Sequence, residues 1–253
     1  MTFLAIVLVL VSGFFLGSFL NHLADSLPIH RKLLTRPRCI KCGQTFDYHN
    51  YIRFATCTKC GVKPSLRRIL TPIITIFTLW LVLLFPPEYT GRWLAIFIFA
   101  YLGLVFIIDL EHRLILNPVS IFGGIAFAPI GIFLNGWLDT ILGALAGFGF
   151  MYALYLLGIL FSRWVSKRRG EEIEEIALGF GDVSLSLVVG ILLGWPRISL
   201  VLFFAILIGG LFSGLFLLIS VLRKRYEAFT AIPYAPFIII ATIIVIYAST
   251  KQI

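Results

Sequence analysis

Long uncharged runs separated by short polar stretches set the pattern of this chain. The runs cover residues 1–24, 69–87, 93–108, 114–138, 140–162, 183–196, 198–222 and 228–250. Crossing about 30 Å of hydrocarbon at about 1.5 Å per residue takes about 20 helical residues. Six runs reach or nearly reach that length, and two, 93–108 and 183–196, fall short. The pattern predicts an all-α polytopic membrane protein with about eight transmembrane helices. Each short run is bounded by an aspartate, Asp109 after the first and Asp182 before the second. That is the expected arrangement where a span end opens into a wet cavity rather than into lipid.

Composition agrees with this reading: 60% of the 253 residues are hydrophobic and only 13% are charged, unlike a soluble core. The net charge of +9 acquires a meaning from its placement. With the first span entering from outside, all Lys and Arg except Arg92, Arg197 and Lys251 fall in cytoplasmic loops. This is the bias that orients membrane proteins, so the basic clusters are topology determinants and a nucleic-acid partner is excluded. Both termini then lie outside. Residues 1–21 lack a positive leading segment and a small-residue cleavage site, so they read as a retained span rather than a cleaved signal. The expected organisation is a first span over 1–24, a cytoplasmic module over 25–68 and a seven-span membrane domain over 69–253. The charged stretch 163–177, basic and then acidic, reads as a solvated surface segment without chemistry.

All four cysteines lie in the cytoplasmic module, as Cys39-x2-Cys42-x14-Cys57-x2-Cys60. Paired CxxC knuckles at this separation supply four thiolates that can close tetrahedrally on zinc. Two disulfides are the alternative, favoured only in an oxidising compartment. A module this small has little core, and a structural Zn ion would supply the missing folding energy.

Asp109 and Asp182 are the candidate catalytic pair. Alternation of the spans brings Asp109, at the end of the third, and Asp182, at the start of the sixth, to the same side and depth. Two neighbouring carboxylates sharing a proton can activate water and polarise a peptide carbonyl without a metal or a covalent intermediate. Gly179 and Gly181 flank Asp182 and would shape the site, since a backbone without side chains lets an extended substrate approach. Taken alone, Gly179-Phe180-Gly181-Asp182 also reads as a helix start, because an aspartate there complements the helix dipole. The histidines are scattered and no GxSxG elbow is present, so other nucleophilic constellations are poor.

Several stretches, in order, resemble signatures of the type IV prepilin peptidases, membrane aspartic proteases of the GxGD type. They are Gly17-Ser18-Phe19-Leu20-Asn21 with Leu27-Pro28, the four-cysteine module, Ile108-Asp109-Leu110-Glu111-His112, Gly179-Phe180-Gly181-Asp182 and Ile232-Pro233-Tyr234-Ala235-Pro236-Phe237. The resemblance implies an inner-membrane endopeptidase in which Asp109 and Asp182 cut the short basic leader of a prepilin or pseudopilin precursor at the cytoplasmic face, with Cys39, Cys42, Cys57 and Cys60 as zinc ligands. It further implies a link to type IV pilus assembly or protein secretion, with membrane lipid as surroundings. Many members also act as methyltransferases, using S-adenosylmethionine to methylate the new N-terminus. Residues 66–74, Leu-Arg-Arg-Ile-Leu-Thr-Pro-Ile-Ile, lack the glutamate common in those members.

Two other readings remain at this stage. A scaffold or transport component would place its carboxylates near mid-membrane on broken helices in repeated halves; here they sit at span ends and no repeat is visible. A presenilin-like intramembrane protease shares the GxGD pattern but lacks a zinc insertion.

Overall fold

The computed structural model describes residues 3–30, 35–39, 41–169, 179–223 and 233–250, and these are helical apart from short turns and one isolated bridge between Arg38 and Thr45. The helices are α1 (Phe3–His30), α2 (Tyr48–Ile52), α3 (Leu66–Leu84), α4 (Gly91–His112), α5 (Asn117–Asn135), α6 (Trp137–Arg169), α7 (Phe180–Leu193), α8 (Arg197–Leu222) and α9 (Ala235–Ala248). Six of them, α1, α3, α4, α5, α6 and α8, are long and apolar enough to cross a membrane, while α7 and α9 are shorter apolar helices. The chain is therefore all-helical with a cysteine-bearing insertion between its first two spans, as the hydrophobic runs predict.

The lengths differ from the runs in four main places. Helix α1 continues past residue 24 to His30, so the expected boundary between the first span and the cytoplasmic module falls inside it. The run 93–108 lies inside a helix of 22 residues, because Asp109 to His112 continue the helix past the apolar limit. Helix α6 continues through Arg163 to Arg169 and reaches 33 residues. The last run shortens to α9, which begins at Ala235 with Pro236 in its first turn, where a missing N–H costs nothing. The acidic part of the stretch 163–177 lies outside the described residues.

The chain forms two compact units, Met1–Ile108 and Asp109–Ile253. In the first, α1 packs against α3. The contact runs over Gly13 and Gly17, where an added Cβ would come within 2.8 Å of Ile76 and 2.5 Å of Pro72 backbone atoms. Small residues four apart let two helix backbones approach closely, the principal source of packing energy inside lipid. The cysteine insertion and α2 belong to this unit.

In the second unit α7 packs against α5, α6, α8 and α9. Its residues are buried nearly all round, including Val183, Leu185, Ser186, Val188, Val189, Leu192 and Leu193. A 14-residue helix is about 21 Å long, less than the hydrocarbon thickness, so protein rather than lipid surrounds it. Glycines make this enclosure tight: Gly131 of α5 abuts the Ile191 carbonyl, Gly147 of α6 abuts that of Ser186, and Gly143 faces Gly190.

Candidate active site and metal centre

Asp109 sits in the last turn of α4 and Asp182 in the first turn of α7. Both belong to the second unit. The two residues are 4% and 7% exposed and lie within electrostatic reach of one another. Asp109 Oδ2 is buried with no hydrogen-bond partner among the described residues. Asp182 is better held. Its Oδ2 accepts the backbone N–H of Gly179 at 3.2 Å, and the N–H of Ala235, at the start of α9, reaches the same carboxylate. The helix-capping reading of Asp182 is thus seen in the structure, and the capping carboxylate lies within electrostatic reach of Asp109.

Local sequence explains this placement. Helix α4 closes with the Arg113 N–H on the Asp109 carbonyl at 2.8 Å, and Arg113 takes the left-handed conformation at φ 51°. The chain then turns back so that Ile115 lies against Gly181, whose added Cβ would sit 2.7 Å from the Ile115 Cβ. Gly181 is therefore a packing requirement, which closes that side of Asp182. Gly179 is different. Among the described residues an added Cβ there would meet only Asp182 Oδ2 at 3.7 Å and the Gly181 nitrogen at 3.9 Å.

One further residue lines Asp182 that the spacing of apolar runs does not single out. Tyr234 stands close enough for its phenol to interact with the Asp182 charge. Gly209 of α8 makes room for it, since an added Cβ would lie 3.1 Å from Tyr234 Cε2. The signal available in sequence was the Pro233-Tyr234-Ala235-Pro236 cluster, which fixes a helix start. Glu111 and His112 pair with each other at 3.9 Å on the half-exposed edge of the site.

The four cysteines converge. Their sulfurs all lie within 4.8 Å of one another, with Cys39 to Cys60 and Cys42 to Cys57 both at 3.5 Å. None is in a disulfide, so the alternative of two bridges is not what the structure holds. Tetrahedral Zn–S bonds of about 2.3 Å require sulfurs about 3.8 Å apart, and this cluster fits such an ion. The two knuckles have the same backbone. Gly43 N–H donates to the Cys39 carbonyl at 2.9 Å and Gly61 N–H to that of Cys57 at 2.8 Å, with both glycines at positive φ. Backbone N–H groups of Cys60 and Lys59 lower the Cys57 pKa to about 6, and those of Cys42 and Lys41 lower that of Cys39. The thiolate forms of Cys39 and Cys57 are favoured in this way, whereas burial and the neighbouring sulfurs push the Cys60 thiol up to about 12.

A polar cluster ties this module to α1 and α3. The Tyr51 hydroxyl donates to Asp25, which also pairs with Arg67. Arg68, buried, lays its guanidinium over the Tyr51 ring at 3.7 Å and donates to the Tyr51 carbonyl. Asn21 Nδ2 donates to the Arg68 carbonyl at 2.9 Å, and His22 meets Tyr48 and Tyr51 edge to face. Burial and the Asp25 carboxylate push the Tyr51 phenol well above its usual pKa.

Comparison with known proteins places the pair of aspartates in a matched stretch. A model described as "Type IV leader peptidase family" matches residues 96–214, which include both. A "Prepilin leader peptidase/N-methyltransferase" of Myxococcus xanthus is 28% identical over 230 residues, covering 86% of this chain and 64% of that protein. A "Type 4 prepilin-like proteins leader peptide-processing enzyme" of Escherichia coli is 27% identical over 276 residues, covering 95% of this chain and 93% of its own. A "Prepilin leader peptidase/N-methyltransferase" of Bacillus subtilis is 26% identical over 253 residues, covering 92% and 90%. No solved structure matches. The chain thus spans just under two thirds of the first of these relatives and nearly all of the other two.

Proposed function

We propose that the chain belongs to the type IV leader peptidase family, whose model matches residues 96–214, and that it is an aspartic endopeptidase that removes the leader of prepilin-like precursors. The observation that carries the reading is the juxtaposition of two buried carboxylates, Asp109 and Asp182, in one unit. Two carboxylates that share one proton divide the work. The ionised member takes a proton from water as the water oxygen bonds to the scissile carbonyl carbon. The protonated member donates to the carbonyl oxygen, and on collapse a proton passes to the departing amine as the C–N bond breaks. The pair titrates as one system, and neither proton is assigned to a named residue.

The basic loops favour a cytoplasmic site and an inner-membrane location, with both termini outside. A basic leader would then stay in the cytoplasm while the apolar segment behind it remains in the membrane. Zinc is the ion we assign to Cys39, Cys42, Cys57 and Cys60, in a structural role, since four thiolates close its tetrahedron and leave no open position. The names of two relatives include N-methyltransferase activity, and methylation of the new N-terminus from S-adenosylmethionine is the second reading.

The test is cleavage of a prepilin-like precursor from the same genome, co-expressed in membranes. Asp109→Asn and Asp182→Asn should each insert stably and leave the precursor uncut; full cleavage by both variants would sink the proposal. The mass of the product's N-terminus reports methylation in the same experiment.

A further inference from the structure

Helices α1 and α3 pack antiparallel, Gly17 against Pro72 and Gly13 against Ile76. Past the second of these contacts, at the end of the first unit opposite the cysteine insertion, a groove of about 430 Å³ opens between α1, α3 and α4. Val9 and Ser12 of α1, Leu79 and Leu83 of α3 and Ile96 of α4 wall it. Arg92 and Trp93, in the first turn of α4, border it where the spans end. From Ala5 to Ser12, both of which line it, the groove follows α1 for about 10 Å.

Three observations bear on what fills it. The interior is apolar: the Ser12 hydroxyl donates to the Leu8 carbonyl at 2.6 Å, and no carboxylate lines the groove. Its one charge is Arg92, which makes no hydrogen bond or ion pair among the described residues, with Glu88 of the preceding turn or any other. Trp93 is 79% exposed beside it, and an indole next to a cation at a span end marks the level where hydrocarbon meets water. Size narrows the choice further. Two turns of a partner helix, about 10 Å across and 10 Å long, displace about 800 Å³, nearly twice the space present, whereas an acyl chain is slender enough to enter.

We propose that this groove is a binding site for one anionic phospholipid. The Arg92 guanidinium pairs with the headgroup phosphate, whose oxygens it can grip two at a time, and an acyl chain runs down the groove toward the Gly13–Ile76 contact. An anionic headgroup is favoured over a zwitterionic one because no carboxylate in the groove answers an ammonium. The site lies wholly in the first unit, so the inference stands apart from the peptidase reading and holds whether or not a precursor is cut.

Native mass spectrometry tests it. Full-length protein, stripped of lipid in detergent, is offered equal amounts of phosphatidylglycerol and phosphatidylethanolamine with the same acyl chains. The wild type should retain one phosphatidylglycerol with a preference of about fivefold, the effect of one basic residue at a membrane surface. Arg92→Gln, a change at an exposed side chain, should abolish the preference. Lys63→Gln, equally exposed in the cysteine insertion, should keep it. A wild type without the preference, an Arg92→Gln protein that keeps it, or equal losses in the two variants would each overturn the site, the last by showing diffuse attraction to basic residues. A further arm needs no variant. Dihexanoyl phosphatidylglycerol, which has the same headgroup but chains too short to fill the groove, should dissociate from the wild type, because retention grows with the apolar chain buried. Retention equal to that of the long-chain lipid would show that the groove takes no acyl chain, and displacement of the phospholipid by equimolar palmitate would show that it selects no phosphate; either result overturns the proposal.

Discussion

The Cβ that Gly181 lacks would stand 2.7 Å from the Cβ of Ile115, closer than unstrained carbon atoms come. This approach fixes where α7 begins relative to the end of α4, and so the separation of the two aspartates. Gly181→Ala should therefore displace Asp182 and reduce precursor cleavage by at least about tenfold, since small misplacements of reacting groups are costly. Gly179→Ala, whose new methyl meets nothing nearer than 3.7 Å among the described residues, should lose far less. Because the clash is with the Ile115 Cβ itself, Ile115→Gly should restore activity to Gly181→Ala, and Ile115→Ala should not.

Asp182 lies within electrostatic reach of Asp109 and also caps α7. Replacement by asparagine retains an oxygen for the Gly179 N–H, whereas alanine removes it. Both variants should be inactive. Asp182→Ala should in addition be less stable than Asp182→Asn by about 1 kcal/mol, read as a lower thermal unfolding midpoint in detergent.

The two matched knuckles predict about one zinc per chain in purified protein, measured by elemental analysis. Cys57→Ser should lose the metal and expose the insertion to proteolysis between about residues 35 and 65, because little else holds so small a segment folded. The α1–α3 contact through Gly13 and Gly17 does not depend on the metal, so the membrane helices should remain intact.

Tyr51 supplies the pH dependence. Its phenol is held protonated by burial and by Asp25, so its folded pKa lies above its unfolded value of about 10. The resulting stabilisation is complete below that value and is lost as the pH rises from there toward the folded pKa. Proteolytic sensitivity of the insertion should therefore increase above about pH 10, and Tyr51→Phe should flatten the increase. The same variant should cost about 1 to 2 kcal/mol at neutral pH through loss of the hydroxyl's bond to Asp25.

Arg113 holds φ at 51° to end α4, a conformation that costs a side-chain-bearing residue about 1 kcal/mol. Arg113→Gly should raise the unfolding midpoint while leaving cleavage largely intact. A lower midpoint would mean that the arginine side chain makes a compensating contact.

Six spans were legible because lipid imposes a single rule, an uncharged run of sufficient length, whereas α7 and α9 read only as apolar runs and fall short of it as helices. The cysteine cluster was legible because ligand spacing is local. Asp109 and Asp182 could be placed at a common depth by alternation alone. Their mutual approach could not, since it depends on Gly181 meeting Ile115 and on the closure of α5, α6, α8 and α9 around α7. Glycine in an apolar run reads the same whether it faces open space, as Gly149 does, or another backbone, as Gly147 does. The Asp25, Tyr51, Arg67 and Arg68 cluster was equally hidden: its members come from two spans and a short helix between the knuckles, and nothing in their spacing announces that they meet.

Helix α7 is walled by four neighbours, one of which is synthesised well after it, and this gives the protein a temporal order. When Asp182 emerges during translation, Ala235 and Tyr234 do not yet exist, and neither does α8. A nascent chain halted after Leu222 would hold both aspartates without the last wall of the site. On the peptidase reading, cleavage would wait for α9, and a chain still being synthesised would hold both carboxylates without the activity proposed for them.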